Sequence, residues 1–103
     1  MRDLFETLRK RVLALDPCVS EVFLRRYVAY KAERNFVDVV PQARHLLLVL
    51  NLGIEDIEDP KRLCRDISHK SHWGNGDVEI GLSSAEELPY VMGLIRQSFD
   101  RPI

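Results

Sequence analysis

The chain has 103 residues, 46% of them hydrophobic and 30% charged, which suits one folded domain and leaves no room for two. Its 15 basic and 16 acidic side chains leave a formal charge of -1, which argues against a dedicated binder of nucleic-acid backbone. This composition excludes a disordered chain, and no apolar run approaches the roughly 20 residues that span a bilayer.

The first segment, "RDLFETLRKRVLALDP", carries Leu4, Phe5, Leu8, Val12 and Leu15 at helical spacing. Asp3 is placed as its N-cap with Glu6 three residues on, and Pro17 closes it. Arg9, Lys10 and Arg11 give the helix a basic outer face. Such an amphipathic start is no signal peptide, so a cytoplasmic location without a membrane is expected. From Val19 to Leu52 the pattern turns to β-rich runs: "VSEVFLRR", "YVAYKA", "NFVDVVP" and "HLLLVLNL", with short polar stretches between them suited to hairpins. In the last run Leu46, Leu48, Leu50 and Leu52 share one face while Leu47 and Val49 share the other. With both faces apolar, this strand is expected at the centre of a sheet covered on both sides.

"GIEDIEDP" reads as an acidic loop, and "EDPKRLCRDIS" as a short helix with Asp59 as N-cap, Pro60 as first residue, and Leu63 and Ile67 inward. In "SHKSHWGNGD" the Asn75-Gly76 step is a tight-turn signal leading into "DVEIGL", whose Val78, Ile80 and Leu82 alternate as a half-buried strand does. The final "SSAEELPYVMGLIRQSFDR" repeats Leu88, Val91, Met92, Ile95 and Phe99 at helical spacing. Ser83 or Ser84 with Glu86 or Glu87 offers a capping box, and Pro89 moves the regular start of the helix toward Glu87. The order defines one α+β domain over residues 1–103. It has an antiparallel sheet of four or five strands packed on the terminal helices, a short third helix, and no βαβ unit.

Few residues point to chemistry. Cys64, His69 and His72 form C-x4-H-x2-H, but the set lacks a convincing fourth ligand beyond Asp77, and no metal or other cofactor is expected. Glu55, Asp56, Glu58 and Asp59 lack the glycine and ligand spacing of a calcium loop. Cys18 and Cys64 form no C-x-x-C and read as separate thiols. No serine sits in a G-x-S-x-G elbow, and Asp38 in "VDVV" has no E-x-K after it to complete a nuclease signature. A cysteine nucleophile in the Cys64/His69/His72 region is the remaining enzymatic reading, on a helix face poorly suited to it.

Binding is better served. "LRRYVAYKAERN" interleaves Arg25, Arg26, Lys31 and Arg34 with Tyr27 and Tyr30, the mixture that single-stranded nucleic acid can stack on, although ordinary strand packing explains the tyrosines more simply. The Gly74-Asn75-Gly76 turn does not require His69, His72 or Trp73. His72, Trp73 and Asn75 are therefore expected to form one edge of a ligand or partner surface, with Tyr30, Lys31 and Asn35 as the other. The leading expectation is a non-enzymatic accessory or binding module. The alternative is a small-molecule or nucleotide pocket lined by Tyr30, His72 and Trp73. Oligomeric state is not legible.

The pieces "AYK", "RNFVDV", "HWGNGD" and "YVMGLIRQS", within a match running from Leu4 to Phe99, resemble a bacterial and archaeal domain of unknown function. That domain is found at the C-terminal end of endonuclease-related proteins, some labelled transport proteins. The resemblance implies a compact α+β module beside a nuclease domain, and it carries over no catalytic residues. Since these 103 residues hold no nuclease domain, it also implies a nuclease-like partner in trans or an excised domain.

Overall fold

The computed structural model describes residues 2–70 and 76–101. Helix α1 (Arg2–Leu13) leads into strands β1 (Ser20–Phe23), β2 (Val28–Lys31), β3 (Asn35–Pro41) and β4 (Leu46–Leu50). A 3-10 turn at Ile54–Asp56 precedes β5 (Arg65–Asp66) and β6 (Val78–Leu82), and a second at Ala85–Glu87 opens helix α2 (Leu88–Asp100). The strands form one six-stranded sheet in the order β1-β2-β3-β4-β6-β5, every neighbouring pair antiparallel. The α+β class holds, with six strands among the described residues instead of four or five.

Strand β4 lies between β3 and β6, as its doubly apolar sequence requires. Leu46, Leu48 and Leu50 pair with Pro41, Val39 and Val37 on one side and with Leu82, Ile80 and Val78 on the other. This face joins Leu8 and Val12 of α1 and Leu88, Val91, Leu94 and Ile95 of α2 in one buried cluster. Both helices therefore lie on the same side of the sheet. Helix α1 begins at Arg2, so Asp3 sits in its first turn and accepts a bond from Thr7 Oγ1 through its carbonyl, not as an N-cap. The entry to α2 follows the sequence closely: Ser84 and Glu87 form the capping box, and Pro89 falls in the first turn, where its missing N–H costs nothing.

The third helix does not form. Asp59 does turn the chain, since its carbonyl accepts from Arg62 N and its carboxylate from Cys64 N. But Arg62 adopts φ 55, a left-handed conformation that stops a right-handed helix after one turn. The next residues are drawn into β5, where Arg65 and Asp66 pair with Glu79 and Val78. Asp59 also accepts from the Tyr90 hydroxyl, and Gln97 exchanges two bonds with the Glu58 backbone at 2.7 and 2.8 Å. These contacts fasten the loop to α2. Leu63, expected inward, is 46% exposed, whereas Ile67 is buried.

Candidate binding face of the sheet

Side chains alternate across a strand, so the register assigns the other face directly. Val22, Ala29, Asp38, Val49, Glu79 and Arg65 lie side by side across it, one from each strand. Neither helix covers this row, yet Ala29, Val49 and Asp38 are buried, Asp38 completely. Ile67, whose N–H bonds to Asp77 O at 2.8 Å, continues β5 onto the same side. At the far edge Arg65 Nε donates to Glu79 Oε1 at 2.8 Å, a pair whose arginine stays half in water, which limits its worth to stability.

A bulge sets the polar end of this face. Tyr30 pairs with Val37 but Lys31 with Asn35, leaving Phe36 as the extra residue of β3. A bulge places two consecutive side chains on nearly the same side, and Phe36 accordingly joins Val37 in the helix-side core, edge-on to Phe99 at 5.1 Å. The alternation then resumes with Asn35 on the face of Asp38. Asn35 Nδ2 donates to Asp38 Oδ1 at 2.9 Å.

The bulge is held by a compact network. Ser98 Oγ, on the last turn of α2, donates to Phe36 O at 2.6 Å and accepts from Asn51 N at 3.2 Å. Arg34 Nη1 donates to the carbonyls of Asn35 and Asn51, and its Nη2 to Ser98 O at 2.6 Å. Asn51 Nδ2 donates to Asn35 O at 2.7 Å. Burial, and secondarily the charge of Arg101, lower the Arg34 pKa from its ordinary value, but a guanidinium stays charged. Two main-chain segments and a helix end thus fix the backbone from which Asn35 projects.

Of the residues expected to form a surface, the structure brings Lys31 and Asn35 to this face. Tyr30 faces the other way. It is wholly buried in the helix-side core and its hydroxyl donates to Glu21 Oε2 at 2.8 Å; burial, then the Glu21 carboxylate, raise its pKa far above the usual phenol value. His72, Trp73 and Asn75 lie outside the described residues. Arg34 is an internal brace, so the interleaved basic and aromatic stretch does not lie along one surface. His69 is exposed, while Cys64 is half-buried, its thiol pushed up to about 12 by burial and by Asp59. Such a thiol is a poor nucleophile. Both cysteines are free. Asp38 is weighed in the sequence only against a nuclease signature and is not placed in the expected surface. Its signal is a single charge between valines in a β-rich run.

The architecture defines an α+β module with helices on one sheet face and a polar pair set into the other. The chain belongs to the family described as a domain of unknown function, DUF5655, whose profile matches residues 1–102. It is 37% identical over 98 residues to a Haemophilus influenzae protein named only as uncharacterized, a match covering 95% of this chain and 32% of that one. The chain thus spans about a third of the length of this relative. No solved structure matches it. Among the described residues no helix is long and apolar enough to cross a membrane.

Proposed function

We propose that the chain is a non-catalytic binding module whose working surface is the helix-free face of the sheet around Asp38 and Asn35. The observation that carries this reading is the pair itself, a fully buried carboxylate bonded to an asparagine amide where valine would complete the strand. Burying a carboxylate costs several kcal/mol before its partners offset it, so a sheet built only for stability does better without it. Groups held at such cost concentrate where ligands are recognised. The chain's span of a third of its longer relative supports a role in serving a larger protein. A nuclease-like partner is the form of that role which the sequence resemblance suggests. The location of Tyr30 in the opposite core favours this face over a pocket lined by Tyr30, His72 and Trp73.

A fragment screen read by amide chemical shifts on the isotope-labelled chain tests the proposal. Binders are expected to shift Ala29, Lys31, Asn35, Asp38 and Val49 as a group. Binders that consistently shift α1 and α2 while leaving these residues still would overturn it.

A further inference from the structure

The sheet ends on two unlike edges. At one, β5 offers only two residues, Arg65 and Asp66, both exposed and both charged, a common way of keeping an edge from pairing with other chains. At the other, β1 holds Ser20, Glu21, Val22 and Phe23 in unbroken register with β2, with no proline and no bulge. The hairpin fixes which way its backbone faces. Leu24 N donates to Tyr27 O at 2.9 Å, so Val22 and Ser20, two and four residues back, also bond toward β2. The N–H and C=O of Glu21 and Phe23 therefore point outward, and no described residue pairs with them. Large apolar side chains are exposed here as well, Phe23 at 64% and Leu24 at 46%. Phe23 lies on the helix side and Leu24 on the other, so both flanks of the edge are apolar. The one charge on the strand, Glu21, is already answered by Arg9 and the Tyr30 hydroxyl and does not repel an incoming strand.

We propose that this edge joins the same edge of a second copy, the two β1 strands running antiparallel with Val22 facing the partner's Val22 across a two-fold axis. The strand is complementary to itself in that register. Glu21 meets the partner's Phe23 and Phe23 the partner's Glu21, and each of these pairs exchanges two main-chain bonds through the groups that point outward. Phe23 is set beside the partner's Arg9, whose guanidinium its ring can cover, and Leu24 beside the partner's Ser20, next to the paired valines. Charge agrees with this course. The exposed Arg25 in the turn of one copy runs along the opposite end of the other strand, where the partner's Asp16 and the partner's Glu33 lie close to the partner's Cys18. An isologous contact of this kind closes at two copies. It also puts the helices of both copies on one side of a continuous sheet and the two helix-free faces on the other.

Sedimentation equilibrium over a concentration series reads the mass, and cysteine cross-linking reads the register. The contact is short, so a weak dimer is expected, with a Kd of about 0.1–1 mM. Glu21 and Phe23 amide resonances of the unchanged chain should move with concentration over the same range, which keeps the test independent of any variant. Phe23→Lys, at an exposed position, should leave the circular-dichroism melt in place and weaken association by about tenfold or more. In a Cys18→Ser, Cys64→Ser background, Val22→Cys should form a disulfide-linked dimer on mild oxidation, because the residues at the axis are a close pair without main-chain bonds, with Cα atoms about 4.5 Å apart. Leu24→Cys in that background is more exposed but sits opposite the partner's Ser20, and it should cross-link about tenfold more slowly or not at all. A chain that is monomeric at about 5 mM, well above that Kd, overturns the proposal. So does a dimer indifferent to Phe23→Lys, or a Leu24→Cys chain that links as fast as Val22→Cys. A chain that stays monomeric but shifts its Glu21 and Phe23 amides when a valine- and threonine-rich strand peptide is added overturns the second copy as occupant, in favour of a strand from another protein.

Discussion

Glu21 shows how much a single side chain carries. It accepts from Arg9 Nε at 2.7 Å and from the Tyr30 hydroxyl at 2.8 Å, joining α1 to β1 and β2. Burial works to raise its pKa, but the bonds from Arg9 and Tyr30 prevail and hold it below its ordinary value of about 4.5. A carboxylate with a depressed folded pKa stabilises fully above its unfolded pKa and loses that contribution as the pH falls through the folded one. Wild-type chain should therefore lose stability below about pH 4.5 more steeply than Glu21→Gln, the two denaturation midpoints converging in acid. Parallel midpoints across that window would show that Glu21 has no such linkage. Gly76 makes a different demand. Its sequence context suggested a requirement for an unusual backbone angle, but the constraint is close approach: a Cβ there would fall 2.1 Å from Leu50 O and 2.4 Å from Leu50 C. Gly76→Ala must displace β4 backbone and is expected to cost about 3 kcal/mol, the upper part of the overpacking range, as read by urea denaturation.

Elements differ in how openly the sequence declared them. Strand β4 was legible because five successive apolar residues between polar turns admit few placements, and Leu48 is wholly buried at the sheet centre. Leu48→Ala should cost about 2–5 kcal/mol in equilibrium unfolding, the usual range for a buried leucine. The start of α2 was equally open, since capping box and proline both act within a few residues of where they stand. Strand β5 was hidden. "EDPKRLCRD" has a helix-starting signature, and only the left-handed Arg62 and the distant pairing with β6 override it. The bulge was hidden too, because "NFVDVV" alternates no differently with or without an extra residue. Asn35 could be picked out as a polar residue beside a turn, but its partnership with Asp38 follows from the bulge and could not. Ser98 tests how far α2 sustains that geometry. Ser98→Ala removes the donor to Phe36 O and an acceptor for Asn51 N and should cost about 1–3 kcal/mol. It should also move the Asn35 amide resonances, which Leu48→Ala at similar cost should disturb less.

At the scale of the whole molecule the helices and the polar pair divide the sheet between them. The helix side carries the large apolar cluster and so most of the hydrophobic driving force. The other side buries fewer apolar side chains, Ala29, Val40, Val49 and Ile67 among them, and carries the Asp38 carboxyl group at its centre. Residues 1–103 should unfold in urea as one cooperative transition, with coincident midpoints from circular dichroism and methyl NMR signals. Separated midpoints would divide the chain into more than one folding unit. The Ser98 bond to the bulge carbonyl joins residues 62 positions apart. Protein synthesis runs from one end of the chain to the other, so β2, β3 and β4 leave the ribosome well before Ser98 does. On a nascent chain the hairpins can pair, but the strand end bearing Asn35 lacks its clasp until the last turn of α2 has emerged. The Asn35 end of the sheet is thus fastened only once α2 has been made, and a truncated product that reaches β6 would display the strands without that clasp.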